Sequence, residues 1–539
     1  MPTVRLVRSL APGRALRQQT SAVAMFAAAL LAVGCTHGGA DITPPPITTP
    51  VERPTLAQTY RPTGRAAAGD VFVQLFEWRW ADIATECTQV IGPAGYKAVQ
   101  VSPPQEHVLA TGSPWWQRYQ AVSYAIDKSR SGTRAEFVNM VQACKSAGVD
   151  IYVDAIVNHM SGASSGTGSN GTAFTKYEYP GLYTSTDFHT PCGVSNYNDA
   201  ANVQDCELLG LADLKTGSPT VRAKIAGYLM SLVRLGVAGF RIDAAKHIQP
   251  VELDSIIGLV NRTAASEGLP LPYVYHEVID YGGDAVTARD YYGVGYNTNG
   301  ASDVSEFKYR GIGDKFINLG SQRVADLAQF SPSAWSLMPS DKAVSFIENH
   351  DTQRDGSPIS YRDGAVLRLA YVWLLGYPYG YPTVMSSYAF DRTSQVGRDR
   401  GPPSSGTGET NPMNCAPSWE SAVIGTHWIC EHRDPVIRAM VGFRKRLAGT
   451  DVNRLWTNGG NAVAFSRGTA GFVVINRESS TLTATVPTAL AAGVYCDLLT
   501  GGLSGANCAG TRVTVAADGT ASITVPALSA LVLHTGARL

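Results

Sequence analysis

Gly239-Phe240-Arg241-Ile242-Asp243-Ala244-Ala245-Lys246-His247 sets one carboxylate, flanked by arginine and lysine, at the end of a short apolar run. An apolar run that stops at Arg-x-Asp reads as a buried strand whose last side chains project from a sheet edge. In a closed parallel barrel, that end of the strand is where active sites sit. Taken alone, the stretch fits an ordinary strand closed by a surface ion pair equally well. The rest of the chain decides between the two. Val149-Asp150-Ile151-Tyr152-Val153-Asp154-Ala155-Ile156-Val157-Asn158-His159, Leu271-Pro272-Tyr273-Val274-Tyr275-His276-Glu277 and Ala343-Val344-Ser345-Phe346-Ile347-Glu348-Asn349-His350-Asp351 repeat one grammar, an apolar strand followed by Asp, Glu, His or Asn. Amphipathic stretches lie between them. Strand-then-helix repetition over several hundred residues argues for βαβ units and a parallel sheet.

In order, these four segments resemble the signature regions of the alpha-amylase family of glycoside hydrolases. Trp115-Trp116-Gln117-Arg118-Tyr119-Gln120, Asn196-Tyr197-Asn198-Asp199, Met338-Pro339-Ser340-Asp341, Pro378-Tyr379-Gly380 and Cys430-Glu431-His432-Arg433 are similar to the animal-type branch of that family. The likeness runs from about Gly69 to the end. It implies an α/β fold: a TIM (β/α)8 barrel with an irregular B domain inserted after strand 3 and a C-terminal antiparallel β-sandwich. By resemblance the nucleophile is Asp243, the general acid/base Glu277 and the transition-state carboxylate Asp351. The activity implied is endo-acting, retaining hydrolysis of α-1,4 bonds in starch, glycogen and maltooligosaccharides. A glucanotransferase or exo-acting amylase on the same barrel, and a non-catalytic glucan-binding protein, are the alternatives.

The chemistry asks for such a set. Retaining cleavage needs a nucleophilic carboxylate and a proton donor on opposite faces of the bond, about 5–5.5 Å apart. Asp243 and Glu277 lie 34 positions apart, room for one helix between successive strands. Beside Arg241 and Lys246, Asp243 is expected to stay ionised, whereas Glu277 ends an apolar, aromatic strand whose desolvation favours the acid form.

The resemblance further implies that His159, His247, His350, Arg241 and Lys246 line the substrate site. A near-neutral imidazole both donates to and accepts from hydroxyls. Trp115, Trp116 and Tyr119 would offer aromatic faces to sugar C–H groups. The Asn158 and Asp213 side chains, with the carbonyls of Gln204 and His247, match the family's calcium site; oxygen donors suit that hard cation. Animal-type relatives often bind chloride through two basic residues and an asparagine. Arg241 and Asn349 fit two of these places, but the third is Thr383, so chloride is not expected to be required. Thr352-Gln353-Arg354-Asp355-Gly356-Ser357 also departs from the family's longer Gly-rich, histidine-bearing loop.

Composition bounds the partners. Lys plus Arg and Asp plus Glu are 44 each, so no basic surface for nucleic acid is implied, and a monomer acting on a neutral polymer is expected. Four arginines precede the apolar stretch from Ala22 to Val33, the layout of a secretory signal. Leu31-Ala32-Val33-Gly34-Cys35 resembles a bacterial lipobox, with plain secretion as the alternative. Residues 36–69 read as a stiff, disordered Pro/Thr-rich tether. The barrel is expected over 70–157 and 214–448, the B domain over 158–213, and the β-sandwich over 449–539, with no room beyond it for a starch-binding module. Nine cysteines are odd for an oxidising compartment. With Cys35 set aside, the resemblance pairs the others as Cys87–Cys144, Cys192–Cys206, Cys415–Cys430 and Cys496–Cys508.

Overall fold

Gly239–Ile242 is the fourth strand of a closed barrel. The computed structural model describes residues 60–295, 301–354 and 359–539. The signal segment, Cys35 and most of the tether therefore lie outside the described residues. The eight barrel strands are β1 (Phe72–Leu75), β2 (Ala98–Val101), β3 (Asp150–Ala155), β4 (Gly239–Ile242), β5 (Tyr273–His276), β6 (Ser302–Ser305), β7 (Ala343–Ser345) and β8 (Tyr381–Ser386). Each pairs in parallel with its neighbour in sequence, and β1 closes on β8. All eight are buried, except for the half-buried first residue of β3. That explains why they read as continuous apolar runs rather than alternating ones.

Helices cover the outside. Among them are α1 (Trp80–Glu86), α2 (Arg134–Ser146), α3 (Pro219–Arg234), α4 (Pro250–Ser266), α5 (Gly311–Phe316), α6 (Ala365–Gly376) and α7 (Pro435–Arg446). A capping box between Thr133 and Glu136 starts α2, satisfying amide donors that the first turn leaves unpaired. Proline opens α3, α4 and α7, where its missing N–H costs nothing. Phe137, Met140, Val141 and Cys144 form the buried face of α2, at the three- and four-residue spacing of a helix stripe. Cys87–Cys144 ties that face to the end of α1.

Within the barrel, Phe72, Tyr152, Tyr273, Tyr275 and Tyr381 form a ring-packed layer of their own. Period-two alternation puts Gly239 and Arg241 of β4 on one face and Phe240 and Ile242 on the other. Asp243 continues the Arg241 face just past the strand end.

The barrel's N-terminal mouth is capped by Tyr60–Gly69, read from sequence as the end of the tether. Thr63 Oγ1 donates to buried Asp303 at 2.7 Å, and Tyr60 donates to Asp341 at 3.2 Å. Arg65 reaches Asp70 at 3.4 Å and Asp150 at 3.7 Å. These residues are ordered because strand-start carboxylates await partners that composition alone does not disclose.

Between β3 and α3 the chain makes short ribbons, His159–Met160 with Ala212–Asp213 and Ser165–Thr167 with Ala173–Thr175, and a short helix, Ala200–Asp205. Cys192–Cys206 bridges this irregular stretch. After α7 come two four-stranded antiparallel sheets. One holds β9 (Val452–Thr457), β10 (Ala462–Arg467), β11 (Gly471–Asn476) and β16 (Ser529–His534); the other holds β12 (Leu482–Pro487), β13 (Gly493–Cys496), β14 (Arg512–Val515) and β15 (Thr520–Val525). Phe472, Val474, Val486, Tyr495, Val513, Ile523 and Leu531 fill the space between them. Arg467 fastens the first sheet to the barrel by donating to Gly376 O at 2.6 Å and Leu447 O at 2.9 Å. The remaining two bridges, Cys415–Cys430 and Cys496–Cys508, form as the resemblance implied. Four disulfides fit an oxidising, extracytoplasmic compartment.

Candidate active site

Arg241 organises the C-terminal mouth of the barrel. It is 4 % exposed, and its guanidinium donates to Asp154 at 2.5 Å, to Asp243 at 2.8 Å and to Glu277. The β3–β4–β5 register explains this convergence. Arg241 lies opposite Asp154 on one side and Tyr275 on the other, two residues before Glu277. One planar fork therefore holds the carboxylates that end two adjacent strands, a geometry an ammonium would not impose. Ala244, just past Asp243, has φ +49° and turns its N–H onto the second oxygen of Glu277 at 2.9 Å. A left-handed alanine is uncommon, and such strain clusters at functional sites.

Asp351 faces these groups from the loop that follows β7. Its backbone N–H and that of Thr352 are held by Asn349 Oδ1 at 3.1 and 2.8 Å. His350 Nε2 lies 3.3 Å from Asp351, while its Nδ1 accepts from Gln74 at 3.0 Å. The His350 ring stacks between Tyr119 and Phe76, at centroid distances of 5.2 and 4.9 Å. Tyr119 in turn donates to Asp154 at 3.0 Å.

The electrostatics are those of a crowded carboxyl cluster around one cation. Burial, then the negative charge of Glu277, pushes Asp351 up to about 7. Burial also raises Asp154 and Asp243 above the usual carboxylate range, with Arg241 opposing in both cases. The expectation that Arg241 and Lys246 together keep Asp243 ionised is thus corrected. Desolvation outweighs the arginine, and the Lys246 ammonium sits instead on Asp284 at 2.5 Å and Ile279 O at 2.6 Å. The cluster holds protons as a set, because like charges this close cannot all ionise.

The three histidines are neutral at pH 7. Burial lowers His159 and His247 to about 4 and His350 well below its ordinary value. His159 donates to Tyr119 O at 3.0 Å and accepts from Asn158 at 3.3 Å, so both ring nitrogens have protein partners. His247 donates to Val203 O at 2.7 Å, pinning the short helix that carries Gln204. Trp115 meets His350 and Tyr119 edge-on at 5.6 Å, and Trp116 is half-buried beside it.

Asn158 and Asp213 are brought together where the chain leaves β3. Leu214 N donates to Asn158 O at 3.0 Å, and His159 pairs with Asp213. Asp213 is 3 % exposed; one oxygen takes His189 Nδ1 at 2.7 Å and the other is buried without a hydrogen-bond partner. Burial pushes this carboxyl up to about 7. A buried carboxylate oxygen without a partner fits a hard cation. Among the described residues no three His, Cys, Asp or Glu side chains cluster as a metal site, so the donors would be largely neutral oxygens. At the place of a third chloride ligand, Thr383 is 7 % exposed and its hydroxyl is buried without a partner.

Sequence reasoning passed over three groups. Asp154 lies inside a strand, where an acid signals a lumen-facing partner. Arg354 donates to His350 O and to Tyr388 at 2.8 Å, with its guanidinium 4.9 Å from the centre of the Trp115 ring; residues 355–358 beyond it lie outside the described residues. Behind the rim, Glu348 and Glu431 are fully buried and linked through Gln353 and Ser387, with Tyr371 and Asp363 facing them. Burial raises both, Glu431 to about 7.

Comparison with known proteins agrees with this geometry. Residues 95–256 match the alpha amylase catalytic domain, and residues 456–536 the alpha amylase C-terminal all-beta domain. The chain is 43 % identical over 476 residues to an alpha-amylase of Thermomonospora curvata, covering 87 % of this chain and 74 % of that one. It is 40 % identical over 486 residues to an alpha-amylase of Tenebrio molitor, covering 88 % and 99 %. A mutant of alpha-amylase I from Eisenia fetida, solved with maltohexaose, superposes with a TM-score of 0.79 at 36 % identity over 90 % of this chain and 99 % of that one. By these matches and by its barrel and sandwich, the chain belongs to the alpha-amylase family.

Proposed function

We propose that this alpha-amylase cuts internal α-1,4 bonds of starch, glycogen and maltooligosaccharides with retention of configuration. The observation that carries the reading is the Arg241 fork, which holds Asp243 and Glu277 together at the barrel mouth. Glu277 gives its proton to the leaving glycosidic oxygen while Asp243 attacks the anomeric carbon. The C1–O bond breaks, a C1–Asp243 ester forms, and the released chain departs as an alcohol. Water then attacks the same carbon, giving its proton to Glu277 and freeing Asp243. Asp351 steadies the positive charge that develops on the sugar ring. The reactive form carries the proton on Glu277 and the charge on Asp243, where the Arg241 guanidinium stabilises it. Neutral His350, His159 and His247 hold sugar hydroxyls or the loops that meet them, and Trp115, Trp116 and Tyr119 cover the ring faces. The maltohexaose complex of the Eisenia fetida relative supports this substrate class.

Calcium bound by Asn158, Asp213 and the carbonyls of Gln204 and His247 would neutralise the orphaned Asp213 oxygen. It would also clamp the irregular stretch onto the barrel. With Thr383 in place of a cation, and Arg241 engaged by three carboxylates, activity needs no chloride. We further read Cys35 as a lipid attachment point on an envelope-anchored enzyme; secretion in free form is the alternative.

Glu277→Gln tests the assignment. Starch hydrolysis should fall by about 10²–10⁴, the usual cost of a lost general acid. Near-normal turnover would overturn it. Proton NMR of the first products should show the α-anomer, and initial β-anomer would exclude retention.

A further inference from the structure

Four residues past Glu277 the chain presents Tyr281, 46 % exposed, at the lip of the cleft. Among the described residues exposed rings are few, and this one is held in place. The Arg310 guanidinium sits 4.3 Å from the centre of the ring, and Phe307 meets it edge-on at 5.9 Å. The loop beneath is equally fixed. Asp280 accepts from Gly282 N at 2.7 Å and Ala288 N at 3.0 Å, and Lys246 holds Ile279 O and Asp284. Ile279, 39 % exposed, lies beside Tyr281. Across the same loop, Tyr197 accepts Ala285 N through its carbonyl and packs its ring against Lys246 at 5.0 Å. The phenol also lies close enough to Asp351 and Glu277 to feel their charges. A rigid aromatic beside the proton donor, stacked on one side and open on the other, is a surface for a sugar ring.

We propose that Tyr281, braced by Arg310, is the stacking platform for the sugar on the leaving-group side of the cut, and so sets how well the enzyme accepts a sugar in place of water. This rests on the alpha-amylase reading above. In transfer, the 4-hydroxyl oxygen of an acceptor attacks C1 of the glycosyl-enzyme. The C1–Asp243 ester bond breaks, the new C1–O4 bond forms, and the hydroxyl proton passes to Glu277.

The test uses α-maltosyl fluoride as donor and maltose as acceptor. The fluoride leaving group places no sugar on that side, so fluoride release reports formation of the glycosyl-enzyme, and maltotetraose reports transfer. In Tyr281→Ala the KM for maltose should rise about threefold to tenfold, the size of an aromatic platform's contribution, and by more than any change in fluoride release. Tyr281→Phe keeps the ring and loses only the phenol's hydrogen bond to Arg310, so its KM should stay much closer to wild type than that of Tyr281→Ala. Arg310→Ala should fall between, and a thermal melt of each variant reports folding. An unchanged maltose KM in Tyr281→Ala, or equal losses in Phe and Ala variants, would overturn the inference. Absence of fluoride release by the wild type would instead sink the amylase reading.

Discussion

Replacing Arg241 by glutamine removes the one cation that three buried carboxyls share. Coulomb attraction to a single carboxylate at about 4 Å is on the order of 4 kcal/mol at an effective dielectric of ~20. Breaking one buried pair typically costs about 3–5 kcal/mol. Protonation of the abandoned acids relieves part of this, which makes the loss pH-dependent. Asp154, Asp243 and Asp351 already have folded-state values above their unfolded ones, so the folded protein binds more protons than the unfolded chain. Stability is therefore lost as pH rises through the folded values. Without Arg241 those values climb further, each added unit costing about 1.4 kcal/mol once the pH exceeds it. Asp351 starts from about 7, so the gap between variant and wild type should widen above neutrality and narrow towards about pH 5. For a unit of this length a loss of 3–5 kcal/mol corresponds to roughly 3–5 °C. Scanning calorimetry of both proteins at about pH 5, 7 and 9 measures it. A pH-independent gap would show that Arg241 acts by packing and not by charge.

Other outcomes follow from the same contacts. Because burial pushes Asp213 up to about 7, calcium must displace a proton there, and affinity should fall by up to about tenfold per pH unit below 7; chelator competition titrations giving one affinity from about pH 5.5 to 7.5 would exclude Asp213 as a ligand. Starch hydrolysis in chloride-free buffer should change less than about twofold when sodium chloride is added, since Thr383 supplies no charge; strong activation would contradict this. Glu348→Gln removes a buried acid whose raised value makes the folded state lose stability as pH rises. Its melting temperature relative to wild type should therefore climb between about pH 6 and 9, and a falling difference would refute the shared-acid reading of Glu348 and Glu431.

Much of the fold was legible because the barrel strands are covered on both faces, so their apolar runs stand out against polar ends. Asp243, Glu277 and Asp351 could be named because each follows such a run and falls on a signature position of the family it resembles, and the register then brings the first two to one guanidinium. What stayed hidden depends on partners distant in sequence. Lys246 reads as a neighbour of Asp243 along the chain, yet its long side chain reaches Asp284 instead. Asp154 looks like one polar residue in a strand until the closed barrel aims it at Arg241. His159 looks free to meet sugar, but the turn after β3 gives both of its nitrogens protein partners. Tyr60–Gly69 carries no periodicity, and only the barrel's acidic floor explains its order.

That floor gives the molecule a direction. Tyr60 and Thr63 join Asp341 and Asp303 at the start of the strands, whereas the reacting carboxylates crown their far ends. Tyr60 and Thr63 are therefore fixed at the pole opposite the cutting edge. Substitutions at that acidic floor would therefore reach stability through the strand starts, at the end of the barrel away from the groups that react.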